Sequence, residues 1–213
     1  MRLEYCAHAC FALTDRQGRR VLLDPCPPSV GYRVPPRQAE VTLVSHDHFD
    51  HNYLEGVAGA TQPVRFPRTA AGIDFGALLL DHDREEGSRL GKVRAFHFRM
   101  DGLKVAHLGD LGRPLTEAEL QELGPVDLLM VPCGGGDYTL GPAEARAVVQ
   151  QVRPRWAVPM HYRTPFLSRE LFPQLEPVDG FLKGKVNRLA DSQVELEGPA
   201  SGETEILWLP HKY

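Results

Sequence analysis

The sequence of 213 residues contains no run of about 18 apolar residues, the length that a membrane-spanning helix needs. Its first five residues, MRLEY, lack the charged-then-apolar pattern of a secretory signal peptide. The four cysteines form no Cys-x-x-Cys motif, so we expect free thiols in a reducing compartment. These features predict a cytoplasmic protein with no membrane partner.

An excess of basic residues is also missing. The 24 Lys and Arg residues are outnumbered by 28 Asp and Glu residues, which gives a formal net charge of −4. The sequence shows no basic arm and no patch of interleaved basic and aromatic residues, the usual signs of a nucleic-acid-binding surface. The charge therefore predicts no nucleic-acid partner, and we expect a small-molecule substrate instead.

The hydrophobic pattern predicts one globular domain over residues 1–213. Hydrophobic residues make up 42% of the chain, enough for one sizeable core. Early strands follow one another as hairpins and later strands alternate with helices, which predicts an α+β fold with packed sheets and outer helices. The predicted strands are 3–13, 20–24, 41–45, 78–80, 93–100, 103–108, 127–131, 156–160, 193–197 and 205–209, and the predicted helices are 116–123 and 142–152.

The most informative stretch of the chain is a histidine cluster at residues 45–51, with the sequence SHDHFDH. It follows directly on the apolar and β-branched run 41–44, so it lies in the loop that leaves a buried strand. Imidazoles and carboxylates are ligands of divalent transition metals, and the turn at a strand exit lets such closely spaced side chains converge. The cluster therefore predicts a metal site.

Three later segments also place a metal-type ligand at or just beyond the end of a predicted strand, namely His82, Asp110 and His161. Each of them alone is weak evidence, but the ordered combination gives enough ligands for two ions that share one bridge. We expect Asp110 to be the bridge, because a carboxylate has two oxygens. The remaining ligands divide into His46, His48 and His82 for one ion, and Asp50, His51 and His161 for the other.

In this order of ligands the sequence resembles the metallo-β-lactamase fold superfamily. More narrowly, it resembles zinc-dependent hydrolases related to the ascorbate-phosphate lactonases and to N-acyl-phosphatidylethanolamine phospholipase D. The resemblance covers roughly residues 2 to 165 and rests on the segments HACF (8–11), LLDP (22–25), SHDHFDH (45–51), AHLGDLG (106–112), GGGDYT (134–139) and PMHY (159–162). It implies a four-layer αβ/βα sandwich with two metals in a cleft at one edge.

The predicted chemistry is hydrolysis. Two divalent ions lower the pKa of a bridging water, and the resulting hydroxide attacks a small, anionic ester, lactone or phosphodiester. Asp50 is expected to orient this nucleophile, and His8 is placed with it as a catalytic residue that reaches the cleft. Zinc fits the imidazole ligands best, and manganese or iron fits the mixed set nearly as well.

Other residues receive supporting roles. Asp24 ends a strand close to the histidine cluster and is expected to fix the tautomer of a ligating histidine. His107 is expected to contact a ligating residue, with substrate contact and ordinary packing left open. Arg113 and Arg163 follow two of the predicted ligands and are expected to bind the negative charge of the substrate. The loops 25–36 and 83–91 are expected to wall the cleft.

Two other functions remain open on the sequence alone. One is an RNA-processing metallo-nuclease of the same superfamily, against which the acidic charge and the short chain argue. The other is a non-catalytic metal-binding module, which would not need a complete set of ligands for two ions. The complete set of ligands favours an enzyme over the non-catalytic module.

Overall fold

The computed structural model describes residues 1–198 and 202–211. In chain order the strands are β1 (Arg2–Ala7), β2 (Cys10–Thr14), β3 (Arg20–Leu23), β4 (Arg37–Gln38), β5 (Val41–Leu43), β6 (Val57–Ala58), β7 (Gln62–Val64), β8 (Arg68–Ala70), β9 (Ile73–Asp81), β10 (Lys92–Met100), β11 (Leu103–His107), β12 (Leu128–Pro132), β13 (Trp156–Met160), β14 (Val186–Arg188), β15 (Gln193–Glu195) and β16 (Glu205–Trp208). The α-helices are α1 (Glu117–Leu123) and α2 (Pro142–Val152), and 3-10 turns occupy Pro28–Val30, Leu54–Gly56 and Val178–Gly180.

Two sheets face each other across the main core. The first has six strands in the order β15-β1-β2-β3-β5-β7, and the second has eight in the order β14-β16-β13-β12-β11-β10-β9-β8. Alternation along the strands sends every second side chain of the first sheet into this core, for example Leu3 and Tyr5 of β1. Phe96 of β10 and Met130 of β12 meet them from the second sheet.

The centre of the second sheet is buried on both faces. Strands β11, β12, β13 and β16 run parallel to one another, and β12 and β13 are buried at every position. Parallel strands covered on both sides require an unbroken apolar sequence, which the run LLMVP of β12 provides. Its alternate residues Leu129 and Val131 point away from the main core, towards the helices.

The two α-helices cover the outer face of the second sheet. Thr116 and Glu119 form a capping box at the start of α1, in which the Glu119 side chain accepts the Thr116 N–H at 2.7 Å. Helix α2 begins with Pro142 at its first turn and buries Val148 and Val149 against the sheet. The predicted α+β sandwich is confirmed.

The outer face of the first sheet is covered differently from the four-layer expectation. No α-helix packs there among residues 1–198 and 202–211. The side chains of Cys6 and Leu22 are instead buried beneath Tyr32 of the proline-rich loop and Phe172 of the segment 166–176. All four cysteines are free and buried. In the described part of the chain, no helix is long and apolar enough to cross a membrane.

One predicted strand is wrong. Residues 3–13 form two antiparallel strands, because the chain reverses at His8 and Ala9. His8 takes a positive φ of 56°, an uncommon conformation for a residue with a side chain, and a register irregularity precedes it between Tyr5 and Ala7. The reversal brings the His8 side chain to one end of the sandwich.

Strand direction gathers the predicted ligands at that end. Strands β9 and β11 both run antiparallel to β10, so they point the same way, and β12 and β13 are parallel to β11. His82, Asp110 and His161 therefore all leave the second sheet at one edge. The loop after β5 brings the 45–51 cluster to the same place from the first sheet.

Candidate metal centre

The histidine cluster is shaped by Asp24, which follows β3. Its carboxylate accepts hydrogen bonds from the Ser45 backbone N–H at 2.8 Å and from the Ser45 hydroxyl at 2.5 Å. The same carboxylate lies 2.9 Å from Nδ1 of His51, so it fixes the ring while leaving Nε2 for another partner. This is the contact that the sequence predicted for Asp24, and all three residues are buried.

Two glycines let the ligand-bearing loops approach closely. A Cβ on Gly112 would lie 2.4 Å from the backbone nitrogen of Asp83, and a Cβ on Gly134 would lie 2.1 Å from the carbonyl oxygen of His161. Both separations are far below van der Waals contact. A side chain at either position would therefore push a ligand segment, that of His82 or that of His161, out of place.

The first group of ligands consists of three histidines. Nε2 of His46 lies 3.0 Å from Nδ1 of His48, and Nε2 of His82 lies 3.2 Å from the same atom. The rings thus direct one nitrogen each at a common point. His46 and His82 are buried, whereas His48 is half-buried.

The second group consists of Asp50, His51, His161 and His8, whose ligand atoms lie within 4.8 Å of one another. Oδ2 of Asp50 is 3.3 Å from Nε2 of His51 and 3.7 Å from Nε2 of His161. His8 approaches the carboxylate most closely, with Nε2 at 3.0 Å from Oδ2. It also accepts the His161 backbone N–H on its carbonyl oxygen at 3.0 Å.

Asp110 lies between the two groups. Its Oδ2 is 3.1 Å from Nε2 of His51 and 3.2 Å from Nε2 of His161 in the second group. The same oxygen is 3.5 Å from Nε2 of His82 and 3.8 Å from Nε2 of His46 in the first. One carboxylate oxygen therefore faces four imidazole nitrogens, two from each group.

The two buried carboxylates, Asp50 and Asp110, dominate the electrostatics of the centre. Burial alone would lower the pKa of the neighbouring imidazoles, but Asp110 overrides it and raises the pKa of His161 to about 9 and that of His51 well above its usual value. His46 lies farther from Asp110, and burial lowers its pKa to about 2. The two carboxylates thus stabilise positive charge on the groups beside them.

The donor set fits divalent metal ions. Oδ1 of Asp110 is buried and has no hydrogen-bond partner among the described residues. Such groups cost about 1–3 kcal/mol each unless a ligand or water satisfies them. Several imidazole nitrogens of the centre face one another next to two carboxylates, with no hydrogen-bond donor between them. A bound cation would hold such groups together.

A cleft of about 400 Å³ opens onto the centre. Both groups reach it, since His48 and His82 of the first group and Asp50 and His161 of the second line it, together with Asp110. The lining also includes Phe49, Leu90, Tyr138, Leu171 and Phe172, which we call the apolar wall. Apart from Leu90 of the loop 83–91, these residues were not predicted from the sequence to line the cleft.

The predicted role of His8 is corrected by its position. Its side chain is fully buried and is absent from the cleft lining, so it does not reach a substrate. It holds Asp50 through Nε2 and the His161 backbone through its carbonyl oxygen, which makes it a positioning residue. His107 is buried too, with Nε2 3.0 Å from the Ala9 carbonyl oxygen and Nδ1 4.0 Å from Asp24.

The substrate-binding role predicted for Arg113 is also corrected. Its guanidinium donates to Asp81 at 2.6 Å and to both oxygens of Glu119, at 2.9 and 2.6 Å. Two carboxylates therefore neutralise it, and it does not line the cleft. Arg113 ties the loop after Asp110 to helix α1.

Arg163 has partners of its own. It donates through Nε to the Leu175 carbonyl at 3.2 Å and through a second nitrogen to the Phe172 carbonyl, and it is absent from the cleft lining. Its backbone N–H binds the Glu176 carbonyl at 2.8 Å. Arg163 thus holds the segment that carries Leu171 and Phe172, rather than a substrate.

The predicted cleft loops are only partly correct. Leu90 of the loop 83–91 lines the cleft, whereas the proline-rich loop 25–36 contributes no described residue to it. The proline-rich loop packs on the first sheet instead, where Tyr32 is buried and hydrogen bonds to Thr164 at 2.6 Å. The place that we expected it to occupy is taken by the segment 166–176.

Comparison with known proteins identifies the family of this chain. The family described as the beta-lactamase superfamily domain matches residues 2–161, about three quarters of the chain. The chain belongs to this family. It is 33% identical over 190 residues to a UPF0173 protein of Pyrococcus furiosus, covering 77% of this chain and 84% of the relative. A UPF0173 metal-dependent hydrolase of Thermococcus onnurineus is 28% identical over 202 residues, with 77% and 85% covered.

A solved structure matches the whole fold. The chain superposes with a TM-score of 0.78 and 34% identity on a Thermotoga maritima protein described as a Zn-dependent hydrolase of the metallo-beta-lactamase superfamily. The match covers 98% of this chain and 99% of that protein. The metallo-β-lactamase fold suggested by the sequence resemblance is therefore confirmed.

Proposed function

We propose that this protein is a hydrolase whose centre holds two divalent metal ions, with zinc preferred. The observation that carries the proposal is the position of Asp110, whose Oδ2 lies within 3.8 Å of imidazole nitrogens from both ligand groups. The names of the relatives from Thermococcus onnurineus and Thermotoga maritima support a metal-dependent hydrolase. Ligands without thiolate fit zinc, manganese or iron.

The first ion would be held by His46, His48 and His82, and the second by Asp50, His51 and His161, with Asp110 shared. Bound there, divalent ions supply a water acidic enough to ionise near neutral pH and a Lewis acid for the substrate oxygen.

The chain contributes orientation and hydrogen bonds. His8 fixes the direction of the Asp50 carboxylate. This carboxylate would accept a hydrogen bond from the water that attacks the substrate. Burial raises the pKa of Tyr138, so its hydroxyl stays protonated at neutral pH and is available as a donor at the cleft. Asp50 and Tyr138 both line the open cleft.

The substrate that fits this cleft is a small ester, lactone or phosphodiester. A volume of about 400 Å³ accommodates a small molecule rather than a folded RNA. Among the described cleft-lining residues none is Lys or Arg, which argues against a nuclease. The open cleft beside both ligand groups argues for catalysis rather than for a non-catalytic metal module.

The test is hydrolysis of a p-nitrophenyl ester, bis-p-nitrophenyl phosphate and a small lactone, before and after metal removal. We expect turnover of at least one substrate, its loss on chelation and its return with zinc. The control variant is Asp179→Asn, which changes an exposed carboxylate outside the centre. Turnover that survives complete metal removal would contradict the proposal.

A further inference from the structure

Large apolar side chains face solvent beside the metal centre. Phe49, which lies between the predicted ligands His48 and Asp50, is 50% exposed, and Leu171 is 41% exposed. A single exposed apolar residue is ordinary, but these two line the same cleft. A ligand that covered them would remove apolar surface from water, which is favourable.

The apolar wall has an ordered geometry. The rings of Phe49 and Phe172 are 6.2 Å apart and inclined by only 19°, and Tyr138 meets Phe172 edge-on at 5.8 Å. Phe172 is 4% exposed and packs edge-on against the ring of His161 at 6.0 Å. The wall therefore begins at a metal ligand and extends outward to Phe49 and Leu171.

The arginines near this apolar surface are paired with other groups of the protein. Arg113 and Arg163 are held by protein partners outside the cleft. A smaller recess of about 120 Å³ adjoins the cleft at His82 and contains Arg84 and Arg89. Arg84 is paired with Glu144 at 2.6 Å.

Acidic groups offset the second arginine of that recess. Arg89 lies 3.8 Å from carboxylate oxygens of Glu85 and Asp137, and Asp83 also lines the recess. The recess therefore offers no net positive charge to an anionic substrate.

We propose that the substrate is a neutral carboxylic ester or lactone whose acyl group is apolar, and that Phe49, Leu171 and Phe172 select that group. This inference rests on the hydrolase function proposed above and replaces the anionic substrate expected from the two arginines. An acyl group whose carbonyl lies at the metal centre would direct its chain along Phe172 towards Phe49.

The test measures binding, so that it does not depend on turnover. Calorimetry on the zinc-loaded protein would compare aceto-, butyro- and hexanohydroxamate, whose common head group binds metal ions. Succinic monohydroxamate has the chain length of the butyryl compound but ends in a carboxylate. We expect the dissociation constant to fall by about fourfold for each buried methylene, and by at least about tenfold from acetyl to hexanoyl. The succinyl compound should bind more weakly than the butyryl compound.

The matched variants are Phe49→Ala and Phe166→Ala. Both residues are exposed phenylalanines, but Phe166 (55% exposed) lies outside the cleft. Phe49→Ala should flatten the dependence on chain length, and Phe166→Ala should leave it unchanged. Equal binding along the series, or tighter binding of the succinyl compound, would overturn the inference and leave the hydrolase proposal intact. A zinc-loaded protein that bound none of the compounds would contradict both.

Discussion

The two sides of the cleft are held in place by different means. The ligand side is buried between the two sheets, where His51, Asp110 and His161 are each 2% exposed or less. Strand ends and hydrogen bonds to buried groups such as Asp24 fix its side chains. Two of the five residues of the apolar wall, Leu171 and Phe172, lie in the segment 166–176, which has no α-helix or strand and is held by hydrogen bonds from Arg163.

This difference suggests that the two sides of the cleft have different functions. The chemistry needs ligand atoms placed to within a fraction of an ångström, and a scaffold of strand ends supplies that precision. Recognition of an apolar group tolerates movement, because burial of apolar surface has no direction. Substitutions on the ligand side should therefore lower the metal content and the rate of turnover. Substitutions in the apolar wall should instead alter which substrates are accepted.

The largest effect is expected from Asp110→Asn, which weakens the proposed bridge without changing the size of the side chain. Metal-ion catalysis contributes several kcal/mol, so turnover should fall by about 10³-fold. Elemental analysis should show the loss of at least one metal equivalent. Asp179→Asn is the control, and a variant of Asp110 that kept both metals and full turnover would remove this residue from the centre.

A smaller effect is expected from Asp24→Asn, because Asp24 contacts Nδ1 of His51 and not the nitrogen that faces the centre. Loss of the carboxylate that orients a ligating imidazole lowers metal affinity by about 10–100-fold. Competition with a chromophoric chelator measures this affinity directly. Unchanged zinc affinity in the folded variant would mean that the ring of His51 is held by packing alone.

Arg163→Ala probes the wall. Since the guanidinium holds the backbone at Phe172 and Leu175, its loss should loosen the segment 166–176 and raise KM several-fold while the metal content stays the same. The change should be similar for neutral and for charged esters of the same leaving group. A loss confined to charged substrates would show that Arg163 binds the substrate after all.

The smallest effect on activity is expected from Glu119→Gln, far from both sides of the cleft. The hydrogen bonds from Arg113 lower the pKa of Glu119 to about 2. A lowered pKa in the folded state adds stability above the unfolded pKa of about 4.3 and loses it as the pH falls towards 2.

The substitution should therefore cost on the order of 1–2 kcal/mol of unfolding free energy at pH 7 and flatten the decline of stability between about pH 4.5 and pH 2. Urea titrations across this pH range measure both quantities. Glu122→Gln, an exposed position on the same helix, is the control and should change neither. An equal response of the two variants would assign the effect to the helix rather than to Arg113.

Most of the ligand side could be predicted from short stretches of the sequence. The cluster 45–51 follows the buried strand β5, so its signal lies within a few neighbouring residues. The structure brings His82, Asp110 and His161 together because their strands point the same way. A ligand at the end of a strand can therefore be predicted from the sequence once the order of the strands in the sheet is known or inferred.

The rest depends on contacts between distant residues. Arg163 is sequence-adjacent to a ligand, but its partners lie 9 and 12 residues further on, in a segment without periodic pattern. The pairing of Arg113 with Asp81 spans 32 residues. The reversal at His8 needs a positive φ in a residue other than glycine, for which the sequence carries no turn signal.

The most direct test of the dinuclear ligand side is the metal stoichiometry of the purified protein, measured by elemental mass spectrometry after zinc loading and removal of free metal. The structure predicts close to two equivalents per chain, falling to about one in His48→Ala, which lacks a ligand of the first group only. One equivalent or none in the wild-type protein would contradict the account.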